Sequence, residues 1–69
     1  MIDELHRQLA LKIRALARAK HLSANRLADF SGIAHGAMSN VLNGKKSPTL
    51  RTLAKIAAAL DVKVKDFLP

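Results

Sequence analysis

Asn40, Ser39 and His35 are the side chains of this sequence best suited to chemistry with a partner. An asparagine amide offers a donor and an acceptor side by side, matching the N6 and N7 edge of an adenine, and a serine hydroxyl can serve a base or a phosphate. His35 can reach either, although a helix-terminal histidine without any partner would read the same. At helical spacing these residues lie on or beside one face with Gly36 and Asn43. That face carries none of the Glu, Lys or Gln that an ordinary surface helix uses for solubility, and small residues let a backbone approach a groove floor.

Cations surround this face. Lys45 and Lys46 follow it directly, Arg26 lies on the preceding helix, and Arg51 begins the next one. A Lys-Lys pair is ordinarily a solvated loop, but this one falls between a helix stop and a capped helix. Ser23 and Asn25 open the preceding helix, where exposed first-turn amides add donors for phosphate. The candidate phosphate contacts are therefore Ser23, Asn25, Arg26, Asn43, Lys45, Lys46 and Arg51.

Charge agrees with a polyanionic partner. Twelve Lys and Arg against five Asp and Glu leave +7 on 69 residues, and each neutralised phosphate releases condensed counterions. A merely soluble basic domain would share that balance. Single-stranded nucleic acid is the poorer fit, because stacking needs aromatics and the only two, Phe30 and Phe67, read as core. Without cysteine there is no disulfide, thiolate zinc site or cysteine nucleophile. His6, His21 and His35 lack carboxylates at metal-ligand spacing, and no activated nucleophile or acid–base pair emerges. No metal, no cofactor and no enzyme activity are expected. The acidic start Met1-Ile2-Asp3-Glu4 is unlike a signal peptide, and no apolar run approaches the roughly 18 residues of a membrane span. A cytoplasmic protein is expected.

The elements that position these residues can be read from spacing. Ile2, Leu5, Leu9, Ile13 and Leu16 fall on one face of a first helix, leaving Leu11 alone among charges, as a stray surface leucine or a dimer contact. His21 stands where that helix must stop in left-handed geometry. Ser23 caps a second helix by accepting from the amide of Asn25 or Arg26, with Leu27 and Ala28 inward. Gly32 supplies a positive φ for the turn and Ile33 plugs the gap between helices. A third helix runs from about His35 to Leu42 with Met38, Val41 and Leu42 inward, ended by Asn43-Gly44. Thr49 caps a fourth helix with Leu50, Leu53, Ile56, Ala57 and Leu60 inward. A short fifth turn around Val64 to Leu68 closes the core with Val62. The expectation is an all-α, five-helix single domain over residues 1–69, with a helix-turn-helix unit at about 23–43.

Residues 9 to 68 resemble the lambda-repressor-like helix-turn-helix family. The likeness is carried by the Leu-Ser start and Leu-Ala of helix 2, the Gly-Ile turn, Ser39, Asn43-Gly44-Lys45, Pro48, and the Leu-x-x-Ile-Ala-x-x-Leu pattern ending in Asp-Val. Singly these are weak; in one order and spacing they are specific. The resemblance implies a regulator that binds operator DNA, commonly as a homodimer, with base reading by His35, Gly36, Ser39 and Asn40. Departures are visible. Ala24 replaces a phosphate-contacting Gln, which weakens anchoring there. Ala34 replaces the usual cap of helix 3, at a cost of about 1 kcal/mol. Ala17 and Leu42 together replace an Arg–Glu pair, a double loss that leaves no orphaned charge. Lys63 stands where a capping Ser is common, so the last turn is expected to fray.

The reading is a sequence-specific double-stranded DNA-binding transcriptional regulator, probing the major groove with helix 3. Alternatives are an antitoxin that also binds a toxin protein, and a protein-interaction module that has lost DNA reading. A homodimer on DNA is expected, through Val64, Phe67 and Leu68 or through Leu11, unless Phe67 and Leu68 simply seal the core.

Overall fold

A computed structural model describes residues 4–68. Four α-helices, α1 (Glu4–Ala19), α2 (Ala24–Ser31), α3 (His35–Leu42) and α4 (Leu50–Leu60), are followed by a 3-10 turn at Val64–Phe67. The fifth element is thus a single turn held by i→i+3 bonds such as Asp66 N to Lys63 O at 2.9 Å. Lys63 makes no side-chain cap bond, as expected, but its own amide donates to the Asp66 carboxylate at 3.0 Å, which ties the start of the turn from inside.

Helix α2 packs against both α3 and α4, while α1 lies against α3 and the final turn bridges α1 and α4. Ile13, Leu27, Met38, Ile56, Leu60 and Phe67 are fully buried at the centre. No helix among the described residues is long and apolar enough to cross a membrane.

Four expected core positions lie outside, Leu68 among them at 47% exposed. Leu50 is 72% exposed, Phe30 58% and Leu5 50%. Leu50 is the first residue of α4, ahead of its buried stripe, and Leu5 sits one turn above the first buried residue of α1. Phe30 lies off the arc of Leu27, Ala28 and Ser31 that α2 buries. In α1 the buried stripe is Leu9, Ala10, Ile13 and Ala17, with Leu16 half-buried; Ile2 falls outside the described residues. Glu4 accepts from Arg7 at 2.9 Å and Gln8 at 3.2 Å, and the Arg7 bond is the main reason its carboxyl is held below the usual value.

All four helices end in the same way. A residue with positive φ follows each: His21 (59°), Gly32 (73°), Gly44 (68°) and Asp61 (58°). The next amide reaches back into the last turn, Leu22 to Ala17 at 2.9 Å, Ile33 to Ala28 at 3.1 Å, Lys45 to Asn40 at 2.9 Å and Val62 to Ala57 at 3.0 Å. This is the Schellman closure, which satisfies otherwise orphaned carbonyls. Leu22, Ile33 and Val62 turn their side chains onto the core. Lys45 is the exception and is exposed.

Candidate nucleic-acid interface

The Ser23 hydroxyl accepts from the Arg26 amide at 3.2 Å and starts α2 as the cap expected of it. Helix α3 has no side-chain cap, since Ala34 has nothing to offer. In its place Asp29, from the last turn of α2, reaches across to His35 in the first turn of α3, with 2.8 Å between Oδ1 and Nε2. An ionised carboxylate can only accept, so Nε2 carries the hydrogen and Nδ1 points free of this bond. The carboxylate also stands near the positive end of α3. Sequence reasoning missed Asp29 because the partner lies across the turn rather than along one helix.

On the outward side of α3, His35, Gly36, Ser39 and Asn43 are exposed and Asn40 is half-buried. A Cβ added at Gly36 would meet nothing within 4 Å, so no packing inside the protein requires a glycine there. Asn43 donates to the Ser39 hydroxyl at 3.3 Å. The Asn40 amide makes no hydrogen bond to another described side chain, which leaves its donor and acceptor for an outside partner.

One groove of about 210 Å³ runs between α3 and the start of α4 and is lined by Asn40, Lys46, Ser47, Thr49 and Thr52. It brings the base-reading candidate Asn40 beside the candidate phosphate contact Lys46. Thr49 accepts from the Thr52 amide at 3.1 Å and caps α4. Lys45, Lys46 and Arg51 are exposed around this edge, and Asn25 and Arg26 are exposed on the first turn of α2.

Arg14 was not anticipated. Its Nε donates to the Leu42 carbonyl at 2.9 Å and its Nη2 to Asn43 Oδ1 at 3.1 Å. Ala17 and Leu42 are both buried, so the missing Arg–Glu pair is replaced by apolar side chains, and a guanidinium one turn earlier ties α1 to the end of α3. No local spacing could reveal a bond across 28 residues.

Of the dimer candidates, Phe67 is fully buried and seals the protomer core instead of presenting a surface. Val64 is half-buried against that core. Leu11 and Leu68 are exposed, at 54% and 47%. Among the described residues no group of three His, Cys, Asp or Glu could hold a metal ion.

Comparison with known proteins gives concordant matches. The family described as Helix-turn-helix matches residues 13–67. A Bacillus subtilis (strain 168) protein described as the uncharacterized HTH-type transcriptional regulator RghRB is 38% identical over 58 residues, covering 83% of this chain and 42% of that protein. The Escherichia coli (strain K12) HTH-type transcriptional regulator SutR is 30% identical over 67 residues, covering 97% of this chain and 38% of its own length. The chain thus spans about two fifths of these relatives. Among solved structures, the restriction-modification controller protein C.AhdI of Aeromonas hydrophila superposes with a TM-score of 0.88 at 28% identity, covering 91% of this chain and 96% of that one. The clp gene regulator ClgR of Corynebacterium glutamicum gives 0.86 at 25% identity, covering 97% and 71%.

Proposed function

The chain belongs to the lambda-repressor-like helix-turn-helix family, and from that premise we propose that it is a sequence-specific transcriptional regulator of double-stranded DNA, acting in the cytoplasm as a binding protein and not as an enzyme. Helix α3 lies in the major groove. Asn40 and Ser39 read base edges, His35 reads a base from the start of the helix, and Gly36 lets the backbone approach. Ser23, Asn25, Arg26, Asn43, Lys45, Lys46 and Arg51 hold phosphates on either side.

The observation that carries this reading is the outward side of α3. Its Gly36 answers no internal packing demand and its Asn40 amide makes no bond to another described side chain, yet it sits within a rim of cations. A purely structural helix gains nothing from that combination. The whole chain acts as one binding unit. One such unit reads only a few base pairs, so two copies bind related half-sites about 34–36 Å apart. With Phe67 committed to the core, the exposed Leu68 and Leu11 are the apolar residues left for the weak contact between copies.

Selection of bound sequences from a random duplex pool tests the reading, followed by Asn40→Ala on the selected site. Loss of preference at one base position, with a cost of about 1–3 kcal/mol, is expected. Equal affinity of both proteins for that site would refute base reading by Asn40. A pool that yields no enriched duplex, together with co-purification of a second small protein, would redirect the assignment to an antitoxin or an interaction module.

A further inference from the structure

Asp29 is the only carboxylate of the sequence between Glu4 and Asp61, and it stands beside the start of α3. An acid there is a liability for binding a polyanion, since it repels the phosphates that the surrounding cations attract. Its one side-chain partner is His35, with Oδ1 2.8 Å from Nε2. We propose that Asp29 is a positioning residue that fixes the kind of base edge His35 reads. It holds the ring as a hydrogen-bond acceptor, so that His35 selects a base carrying an amino group in the major groove, adenine or cytosine over guanine or thymine. The inference deepens the reading of α3 as the groove-facing helix and rests on it.

A neutral imidazole has one hydrogen for two ring nitrogens, and the partner of either nitrogen settles its place. The Asp29 carboxylate only accepts, so the hydrogen sits on Nε2 and Nδ1 keeps a bare lone pair. No other described residue bonds to the His35 side chain, so that lone pair is unused within the chain. The backbone holds the pair in register. Asp29 follows the fully buried Ala28, and His35 stands one turn before the buried Met38. Between them Gly32 turns at φ 73°, with its amide 3.2 Å from the Asp29 carbonyl and the Ile33 amide 3.1 Å from that of Ala28. The side chains of His35 and Asp29 are 53% and 67% exposed, so water competes for the bond until docking on a groove floor removes it. The fixed hydrogen matters most in the complex.

Polarity then separates the bases. Adenine N6 and cytosine N4 point hydrogens into the major groove, whereas guanine O6 and N7 and thymine O4 present lone pairs. A bare Nδ1 pairs with the first kind and is left desolvated and unpaired against the second. Each base pair holds one amino group in this groove, so the selection is between strands: A or C on the strand that His35 contacts. The Ser39 hydroxyl cannot do this alone, because it rotates to donate or accept. A free histidine cannot either, since its hydrogen moves to whichever nitrogen suits the edge. Asp29 removes that choice.

The test is duplex selection at about pH 8, above the range in which a free imidazole takes a second proton, by the native chain, His35→Ala and Asp29→Asn. His35→Ala should flatten one position of the selected site and so identify it. At that position the native chain should favour A or C over G or T by about three- to tenfold, the worth of one hydrogen bond. The amide of Asp29→Asn both donates and accepts, supports either placement of the hydrogen, and should bring that preference below about twofold. The position read by Asn40 should keep its preference in this variant, which shows that α3 still docks. Nitrogen NMR shifts of the His35 ring in the operator-bound native chain are the second measurement: Nε2 should carry hydrogen and Nδ1 should not. Hydrogen on Nδ1, alone or together with Nε2, would overturn the proposal. So would a native preference for G or T, a His35→Ala profile like the native one, or an A or C preference that survives Asp29→Asn and leaves Asp29 only a brace of the turn. Each of these outcomes keeps groove reading by α3 intact. Failure of the native chain to enrich any duplex would overturn both readings.

Discussion

The ends of α2 and α3 share one backbone design and put it to opposite use. Both stop at a glycine with φ near 70°, 73° at Gly32 and 68° at Gly44, and in both the following amide reaches back to close the last turn. After Gly32 comes Ile33, whose side chain packs on the core; after Gly44 comes Lys45, which stands in solvent. The closures of α1 and α4 side with α2, through Leu22 and Val62. A Schellman closure directs the chain at a helix end, and the residue after it decides whether the next side chain adds to stability or to recognition. At α3 the apolar anchor is given up, and Arg14 holds the helix end from the other side.

The comparison is broken most severely by removing the anchor where it exists. Ile33→Ala should cost about 2 kcal/mol in urea unfolding, the share of a full isoleucine truncation expected at a half-buried site. A loss under about 0.5 kcal/mol would mean that the residue after Gly32 does no more for folding than Lys45 does. Replacing each glycine by alanine is the next largest effect. Nothing lies within 4 Å of a Cβ at Gly32, and at Gly44 the nearest atoms are Arg7 Cα and His6 O at 3.8 Å. Both variants should therefore pay only for the left-handed backbone, about 1–2 kcal/mol each. A much larger loss at Gly44 would show that the α1 backbone presses on this turn. The smallest effect on stability belongs to the double variant Lys45→Ala with Lys46→Ala, expected within about 0.5 kcal/mol of native. The same variant should weaken all duplexes alike and lower the magnitude of the salt slope by about 2. An unchanged slope would make those lysines solvated loop charges and dissolve the contrast with Ile33.

What the sequence disclosed follows from how local each signal is. The cap at Ser23, the turn at Gly32, the stop at Asn43-Gly44 and the cap at Thr49 act within four residues, and each sits where composition placed it. The three inward residues of α3 were legible for the same reason. Hydrophobicity without a facing partner misled: Leu50 and Leu5 lie near helix starts, and Phe30 is apolar but off the buried arc. Ser31 erred in the other direction, buried at a position that looks polar. The face of α3 could be read as a candidate site from residue types alone. The Asp29–His35 bridge and the Arg14 tether could not, since both exist only once separate helices meet.

The Arg14 tether also bears on the chemical lifetime of the chain. Asn-Gly is the dipeptide most prone to deamidation, because the glycine nitrogen attacks the asparagine amide carbon, expels ammonia and closes a succinimide that water then opens to a carboxylate. Here the Gly44 N–H is engaged by the Val41 carbonyl at 3.1 Å, while the Asn43 amide is held by Arg14 on its oxygen and by Ser39 on its nitrogen. Neither reacting group is free to swing into line while the fold is intact. Ageing at this bond is thereby confined to moments when the end of α3 opens, and the lesion it leaves, a carboxylate, would fall between Arg14 and the reading face.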